Sequence, residues 1–264
     1  MAEILRVREI EEIEKIKDNP DIKSALTFIS EFWDVHSCVI IKNETPVGAA
    51  LAGIPYEAKI KALDCNPVEA IGATIAFSKH IDLQTAKSLS KMNFNTIIVA
   101  EIEKEAKAFL EKSKSRVIEI GFRLDVYKQF LSAADDVNLT PKGFKVATKL
   151  KPTQEQVEDM VFAWKILKNL KNDSILISKD FKTRAIVKGT TVTAVEEAMD
   201  NACDGSKEAV LAVSKNITDP KFLNPVIQGR ITGIIEPKNY EGNDSEVIKT
   251  AEKYGITVIT VGDN

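Results

Sequence analysis

The sequence predicts an α/β fold in which one strand-centred unit occurs twice, with mainly parallel sheets covered by helices. Three observations lead to this prediction. Short apolar runs rich in β-branched residues alternate with amphipathic helical segments along the chain, as expected for sheets covered by helices. A helix followed by a buried strand occurs near the start and again after residue 152. Matching segments of the two halves also lie a constant distance apart.

The constant distance appears in three pairs of positions with similar local sequences. They are Lys42 and Ser178 (178 − 42 = 136), Gly53 and Gly189 (189 − 53 = 136), and Ser78 and Ser214 (214 − 78 = 136). Hydrophobic periodicity alone does not produce one offset over three separate segments. We therefore interpret the pattern as an internal duplication.

The first half is predicted to begin with a helix, because residues 1–18 carry Ile and Val at spacings of three among charged residues. Such a stripe would pack on the body of the protein or on a partner chain. The Asn-Pro-Asp sequence at residues 19–21 ends it. A second amphipathic helix has its apolar face between Ile22 and Trp33, and the apolar run at residues 38–41 predicts a buried strand.

The second half begins with a capping box. Thr153 and Gln156 have the required spacing, which predicts a helix that leads into a buried strand at residues 175–177. The chain is accordingly divided into four segments. They are an N-terminal helix at 1–18, a first unit at 19–132, a linker at 133–151 and a second unit at 152–264.

Composition excludes several classes of function. The chain has 39 acidic residues against 36 Lys and Arg, which disfavours binding to nucleic acids or membrane surfaces, since both depend on basic excess. The charged N-terminus and the lack of a long apolar run predict a cytoplasmic protein that does not enter a membrane. Three scattered cysteines and two histidines offer little material for a metal site or a Ser-His-Asp triad, so no metal is predicted.

Two loops contain candidate ligand contacts. Lys42 follows the first buried strand on a turn with Pro and Gly, where it would bind an anion or polarise a carbonyl group; an exposed surface lysine is the alternative. Residues 188–191 precede a second candidate, a helix predicted to start near Thr193 because Thr193 and Glu196 have capping-box spacing. Its free N–H groups would suit a phosphate. Neither a dinucleotide-binding fingerprint nor a Walker sequence occurs.

Several stretches resemble the AICAR transformylase domain, which is one half of a bifunctional purine-biosynthesis enzyme that also has IMP cyclohydrolase activity. They include Val146-Ala147-Thr148-Lys149, Phe162-Ala163-Trp164-Lys165, Asn172-Asp173-Ser174-Ile175 and Thr85-Ala86-Lys87. The resemblance extends from about Ile22 to the C-terminus, with no counterpart of the cyclohydrolase half. It implies duplicated cytidine-deaminase-like units, a homodimer and formyl transfer from 10-formyltetrahydrofolate to the AICAR nucleotide.

The resemblance places the family's catalytic Lys-His pair at Lys42 and Asn43. The lysine is kept, but the amide of Asn43 cannot accept a proton at neutral pH, and general base catalysis is typically worth about 10²–10⁴-fold. The family's asparagine after the long helix aligns with Asp173, and Asn172 precedes it. The candidate catalytic residues are therefore Lys42, Asn43 and Asp173.

The resemblance also indicates changed substrate loops. In the loop at residues 187–193 the family's arginine is replaced by threonine, and in the segment at residues 213–221 the aromatic folate wall is replaced. The candidate substrate contacts are Asn172, Lys188, Gly189, Thr190, Thr193 and Lys221.

Two functions remain open from the sequence. One is a divergent formyltransferase that uses 10-formyltetrahydrofolate, in which Lys42 polarises the formyl group and Asp173 takes the proton. The other is a non-catalytic paralogue that binds an AICAR-like purine nucleotide or a partner chain. A new enzyme on the old scaffold, with Lys188 and Lys221 facing an anionic ligand, is a further alternative.

Overall fold

The computed structural model describes residues 4–7, 16, 18–121, 143–238 and 245–262. The chain forms two compact units, Met1–Ser132 and Ala133–Asn264. Each unit combines a β-sheet with helices, which confirms the predicted α/β class. No helix in the described ranges is long and apolar enough to cross a membrane.

The first unit has a mixed sheet. Its strands are β1 (Ile4–Arg6), β2 (His36–Lys42), β3 (Thr45–Ala52), β4 (Thr74–Phe77), β5 (His80–Ile81), β6 (Thr96–Val99), β7 (Glu101–Ile102) and β8 (Arg116–Glu119). Its helices are α1 (Pro20–Ser30), α2 (Pro55–Leu63), α3 (Leu83–Leu89) and α4 (Lys104–Leu110). Strands β2 and β3 form an antiparallel hairpin, and β2 also pairs antiparallel with β4. Strands β4, β6, β8 and β1 then follow in parallel, while β5 and β7 form a separate short parallel pair.

The second unit is built in a similar way. Its strands are β9 (Phe144–Val146), β10 (Ser174–Lys179), β11 (Lys182–Lys188), β12 (Val210–Val213), β13 (Gly233–Pro237) and β14 (Thr257–Val261). Its helices are α5 (Gln154–Leu167), α6 (Val192–Ala202), α7 (Leu223–Gln228) and α8 (Ser245–Lys253). The hairpin of β10 and β11 is antiparallel, as is the pair of β10 and β12, whereas β12, β13 and β14 are parallel and β9 closes the edge antiparallel.

Both sheets are therefore mixed: among the described strands, three of the five pairs are parallel in the first sheet and two of the five in the second. The reason lies in the two-residue turns between β2 and β3 and between β10 and β11, because strands joined by so short a turn must pair antiparallel. Parallel pairing begins only where a helix separates consecutive strands. The apolar centres of the strands are fully buried, as Ile40 and Ile97 illustrate in one unit and Ile175 and Ile234 in the other.

Local sequence explains where the main helices begin. The Asn19 side chain accepts hydrogen bonds from the backbone N–H groups of Asp21 and Ile22, which starts α1. The predicted capping box of Thr153 and Gln156 is present at the start of α5. The buried strands predicted at residues 38–41 and 175–177 are confirmed within β2 and β10.

Two predictions were wrong. Ile4–Arg6, predicted as helical, forms a strand that pairs with β8, because pairing at a sheet edge outweighs a local periodicity of three. The rest of that predicted helix lies largely outside the described residues. Thr191, and not Thr193, is the N-cap of α6, since its side chain accepts the Ala194 N–H.

The segment predicted as a linker, residues 133–151, falls partly outside the description, which resumes at residue 143. Its described part contains β9, whose residues pair with β14 at the edge of the second sheet. The Ala147 N–H continues this contact by donating to the Val258 carbonyl at 2.8 Å. Residues 144–147 thus pair with the second unit's sheet.

The same contact joins neighbouring strands at one end of each sheet. In the first unit the Ser37 N–H donates to Ser78 Oγ at 2.9 Å. In the second unit the Ser174 N–H donates to Ser214 Oγ, also at 2.9 Å. Ser37 and Ser174 lie at the start of β2 and β10, and Ser78 and Ser214 directly follow β4 and β12. The backbone at this end of each sheet is therefore held in the same way.

Candidate functional site

A pair of opposite charges marks one end of the second unit's sheet, where β12 ends and β10 begins. Asp173 immediately precedes β10, and its carbonyl oxygen accepts the Gly189 N–H at 2.7 Å. Lys215, two residues after β12, places its Nζ 2.5 Å from Asp173 Oδ2. Both side chains are about half-exposed, so a ligand could compete with either partner.

A cleft of about 300 Å³ opens beside this pair. One wall is the start of α6, including Thr190 and Thr191, and the other is the loop between Val213 and Phe222. The free N–H groups at the start of a helix favour anions. The cleft is at the lower end of the size range for ligand pockets and suits one small substrate.

The cleft combines a cation, an amide and an apolar floor. Its polar lining includes Lys215, Asn216 and the carboxylate of Asp219, and Val213, Ile217 and Phe222 contribute the apolar part. The Asn216 Oδ1 atom is buried and accepts no hydrogen bond from any group in the described ranges. A buried amide oxygen of this kind is expected to gain a donor, from water or from a ligand.

Sequence reasoning named the segment at residues 213–221 as a changed substrate loop but did not single out Lys215 or Asn216, and it missed Phe222. Their contact with the start of α6 depends on the pairing of β10 with β12, which no local pattern reveals. A positional signal was present, because Lys215 and Asn216 lie two and three residues after the buried strand β12, where ligand sites of α/β folds cluster.

The predicted substrate residues of the second unit divide into two groups. Thr190 lines the cleft, and Gly189, with a φ of 97°, precedes it at a position where other residues would be strained. The remaining four are exposed and outside the lining, namely Asn172, Lys188, Thr193 and Lys221. The structure therefore brings only part of the predicted set to the cleft.

The other candidate catalytic residues lie on the hairpin of the first unit. Lys42 ends β2, and its Nζ donates to the Ile71 carbonyl at 3.1 Å and lies 3.5 Å from Glu69 Oε2. Asn43 is exposed and occupies the first of two turn positions with positive φ, followed by Glu44. Lys42 is thus a held cation, and Asn43 is an exposed amide on a tight turn.

The hairpin of the second unit holds its own lysine in the same way. Lys179 ends β10, and its Nζ donates to the Lys207 carbonyl at 3.0 Å and lies 3.1 Å from Glu208 Oε2. The contacts of Lys42 alone therefore do not distinguish a catalytic lysine from a structural one. Lys179 provides a matched control for any experiment on Lys42.

At the end of the first unit's sheet that corresponds to the cleft, two histidines face each other. The rings of His36 and His80 are 5.0 Å apart in an edge-to-face arrangement. Partial burial, together with the nearby His80 and Lys79, lowers the pKa of His36 below its usual value. Among the described residues, no three or more His, Cys, Asp and Glu side chains are grouped to hold a metal ion.

Comparison with known proteins gives a family match. A family model described as the AICARFT/IMPCHase bienzyme matches residues 17–201. Among curated relatives, the bifunctional purine biosynthesis protein PurH of Thermoanaerobacter sp. (strain X514) is 31% identical over 253 residues, covering 92% of this chain and 49% of the relative. PurH of Aquifex aeolicus (strain VF5) is 33% identical over 254 residues, covering 92% and 50%.

The chain therefore spans about half the length of the curated relatives it matches. Among solved structures, RibD of Acinetobacter baumannii (form 1) is similar at 12% identity and a TM-score of 0.31, covering 92% of this chain and 74% of that one. A similarity this low carries no conclusion about fold or function.

Proposed function

The chain belongs to the AICARFT/IMPCHase bienzyme family, and from this membership we propose that it is a divergent AICAR formyltransferase. The proposed reaction moves the formyl group of 10-formyltetrahydrofolate to the amine of the AICAR nucleotide. The amine nitrogen attacks the formyl carbon, a tetrahedral oxyanion forms, and the bond from that carbon to N10 of the folate breaks. The proton lost by the amine ends on N10.

One observation carries the proposal, the cleft of about 300 Å³ at the end of the second sheet. The substrate nucleotide carries a phosphate and a planar ring. Lys215 and the start of α6 suit the anion, whereas Phe222 and the apolar floor suit a flat ring. The unpartnered Asn216 Oδ1 would accept a hydrogen bond from a ring or amide N–H.

The chemical roles follow from the family positions. Lys42 is a cation of the kind that stabilises a developing oxyanion. Asp173 is a carboxylate beside the cleft and is assigned the proton of the attacking amine. Asn43 stands where the family has a histidine, so it would orient a substrate group rather than accept a proton.

We also propose that each unit is a cytidine-deaminase-like repeat. Support comes from the equivalent hairpins, from the serine contacts at the sheet ends, and from the matched lysines Lys42 and Lys179. These features recur at a nearly constant offset along the chain, since 214 − 78 is 136 and 179 − 42 is 137. A homodimer belongs to the same proposal, and mass measurement in solution tests it.

A second function is favoured by a specific observation. Asp173 is already paired with Lys215 at 2.5 Å, and the turn offers Asn43 instead of a base. A protein with this arrangement would bind the nucleotide without transferring a formyl group. The formyltransferase predicts both nucleotide binding and turnover, whereas the binding protein predicts nucleotide binding alone.

The experiment measures tetrahydrofolate formation from 10-formyltetrahydrofolate with AICAR as acceptor, for the wild type, Lys42→Ala and the control Lys179→Ala. We expect Lys42→Ala to lower kcat about 10²-fold and Lys179→Ala to change it less than about twofold. Equal losses in the two variants would contradict the role of Lys42.

Thermal unfolding with and without AICAR separates the two functions. A ligand present at 100 times its Kd stabilises the folded state by about 2.7 kcal/mol, which raises Tm measurably. A raised Tm without turnover would select the binding function, and the absence of both would overturn the two proposals together.

A further inference from the structure

The carboxylate of Asp21 lies beneath the turn that follows Lys42. Asp21 is the second residue of α1, and its Oδ1 accepts the Glu44 N–H at 2.6 Å. The Asn43 N–H donates to the same carboxylate. One side chain from a helix therefore binds both central N–H groups of the hairpin turn.

This turn needs such a partner. Asn43 and Glu44 have φ values of 51° and 63°, the left-handed conformation that a two-residue hairpin turn requires at both positions. Glutamate adopts it at a cost, because its Cβ crowds the backbone. The Asp21 carboxylate supplies an acceptor for the N–H groups at the centre of the turn, which helps to keep this conformation.

The conformation of this turn fixes the backbone position from which the Lys42 side chain extends. Lys42 pairs with Thr45 across the hairpin, one residue before the clamped Asn43. At the other end of the side chain, Nζ donates to the Ile71 carbonyl at 3.1 Å. The ammonium group is consequently fixed from two directions, by the turn and by the loop that contains Ile71.

We propose that Asp21 is a positioning residue, which holds the Asn43–Glu44 turn and thereby places the Lys42 ammonium group where it acts. The catalytic meaning of this proposal rests on the proposed function, whereas the structural link from Asp21 to Lys42 does not. Burial between the helix and the turn raises the pKa of Asp21, although the Asn43 N–H opposes that shift.

The second unit contains the same device and supplies the control. Asp159 of α5 accepts the Asp180 N–H at 2.9 Å through Oδ2 and the Phe181 N–H at 2.7 Å through Oδ1. Asp180 and Phe181 also have positive φ, at 56° and 53°. That turn follows Lys179, to which no catalytic role is assigned. Asp159→Ala therefore removes an equivalent clamp from the other hairpin.

The test compares Asp21→Ala and Asp21→Asn with Asp159→Ala. Steady-state formyl transfer is measured in each, together with amide hydrogen exchange at the turn and the ¹³Cε chemical shift of Lys42. Asn keeps one acceptor oxygen, so Asp21→Asn is an intermediate variant that serves if Asp21→Ala does not fold.

We expect Asp21→Ala to lower kcat at least about tenfold with the nucleotide KM changed less than about twofold, since small misplacements of a reacting group cost rate rather than binding. Asp159→Ala should leave kcat within about twofold. The proposal would be overturned if Asp21→Ala and Asp159→Ala lowered kcat to the same extent, or if neither variant lowered it.

Failure of the proposed function is distinguishable from failure of this inference. A wild type without formyl transfer would overturn the proposed function alone, and the spectroscopic readouts would then decide. Asp21→Ala, but not Asp159→Ala, should shift the Lys42 ¹³Cε resonance and speed exchange of the Asn43 and Glu44 amides about tenfold or more. An unchanged Lys42 resonance with protected amides would overturn the inference.

Discussion

The two units have equivalent backbone contacts but carry different side chains at the ends of their sheets. Each has a hairpin with a two-residue turn, a clamping aspartate on the preceding helix and a serine contact where neighbouring strands meet. At the end of the sheet that carries the serine contact, the first unit has His36 and His80, whereas the second has Asp173 and Lys215 beside a cleft. The contacts that hold the backbone are the same in both units, whereas the side chains able to contact a ligand differ.

The units also differ at one buried position of helices α2 and α6. Lys59 of α2 is 1% exposed, with its Nζ bonded to Ser88 Oγ and 4.5 Å from the centre of the Tyr56 ring. The matching position of α6, at the same offset as the other pairs (195 − 59 = 136), is Val195, which is fully buried among apolar residues. At this position the first unit therefore carries a buried ammonium group where the second unit has an apolar side chain.

The largest expected effect tests how closely a helix approaches the hairpin in each unit. A Cβ on Gly48 of β3 would lie 2.0 Å from the Ala62 carbonyl oxygen of α2, so Gly48→Ala forces backbone to move and should destabilise by about 1–3 kcal/mol or more. The matching residue of β11 is Ala185. Ala185→Gly should cost only about 0.5–1 kcal/mol.

Urea denaturation measures both variants. If Gly48→Ala proved no more destabilising than Ala185→Gly, the close approach of α2 to β3 would not be a real difference between the units.

The next effect concerns the lysines that follow β4 and β12. Lys215→Ala should weaken nucleotide binding about tenfold or more, because a charge-assisted contact to a phosphate is worth about 1.5–3 kcal/mol. The matched control is Lys79→Ala, since Lys79 has the corresponding place in the first unit (215 − 79 = 136), and it should leave Kd unchanged. Calorimetric titration with AICAR measures both, and equal losses would mean that the nucleotide does not select the second unit.

The buried lysine provides a third test. Replacing Lys59 by Met should raise the free energy of unfolding at pH 7 by about 1 kcal/mol, because the desolvation of a buried charge is removed. Lys61 of the same helix is the control, since it is partly exposed and only paired with Glu57 at the surface, and Lys61→Met should change stability by less than about 0.5 kcal/mol.

The sign of the pH dependence sharpens this test. Burial lowers the pKa of Lys59, so the unfolded chain binds the proton more tightly and the wild type gains stability as pH rises towards the ordinary value of 10.5. The advantage of Lys59→Met should shrink over that interval. A constant advantage from neutral to alkaline pH would contradict a shifted Lys59.

The smallest effect belongs to the histidines of the first unit. The pKa of His36 lies below its ordinary value of 6.5, so its contribution to stability is complete above that pH and declines as pH falls towards the lowered pKa. His36→Asn should flatten the stability profile between about pH 7 and pH 5. Denaturation midpoints at several pH values measure it, and an unchanged slope would show that His36 does not contribute to the pH dependence.

The parts of the fold that sequence predicted well are those set by neighbours along the chain. The capping box at Thr153 and the apolar runs of β2 and β10 depend on a few consecutive residues, and all are present. The α6 helix begins near Thr193 as predicted, but its N-cap was misassigned by two residues because Thr191 and Thr193 both offer a capping hydroxyl. Which of them caps depends on the exit of β11 through Gly189.

The site was harder to predict because its contacts are distant in sequence. Lys215 reaches Asp173 only because β10 and β12 are paired, and Phe222 joins the cleft through a short helical turn at Pro220–Phe222. Lys42 poses the opposite difficulty. Its contacts match those of Lys179, so its proposed role comes from its family position and not from its surroundings.

The most direct test of formyl transfer by this chain follows the formyl group itself. The purified chain is incubated with AICAR and 10-formyltetrahydrofolate carrying ¹³C in the formyl group, and the label is observed by NMR. We expect the formyl resonance to move from the folate to the AICAR amine, and Lys42→Ala to slow the transfer while Lys179→Ala does not. A label that stays on the folate while AICAR is bound would contradict a formyltransferase and leave a protein that binds the nucleotide.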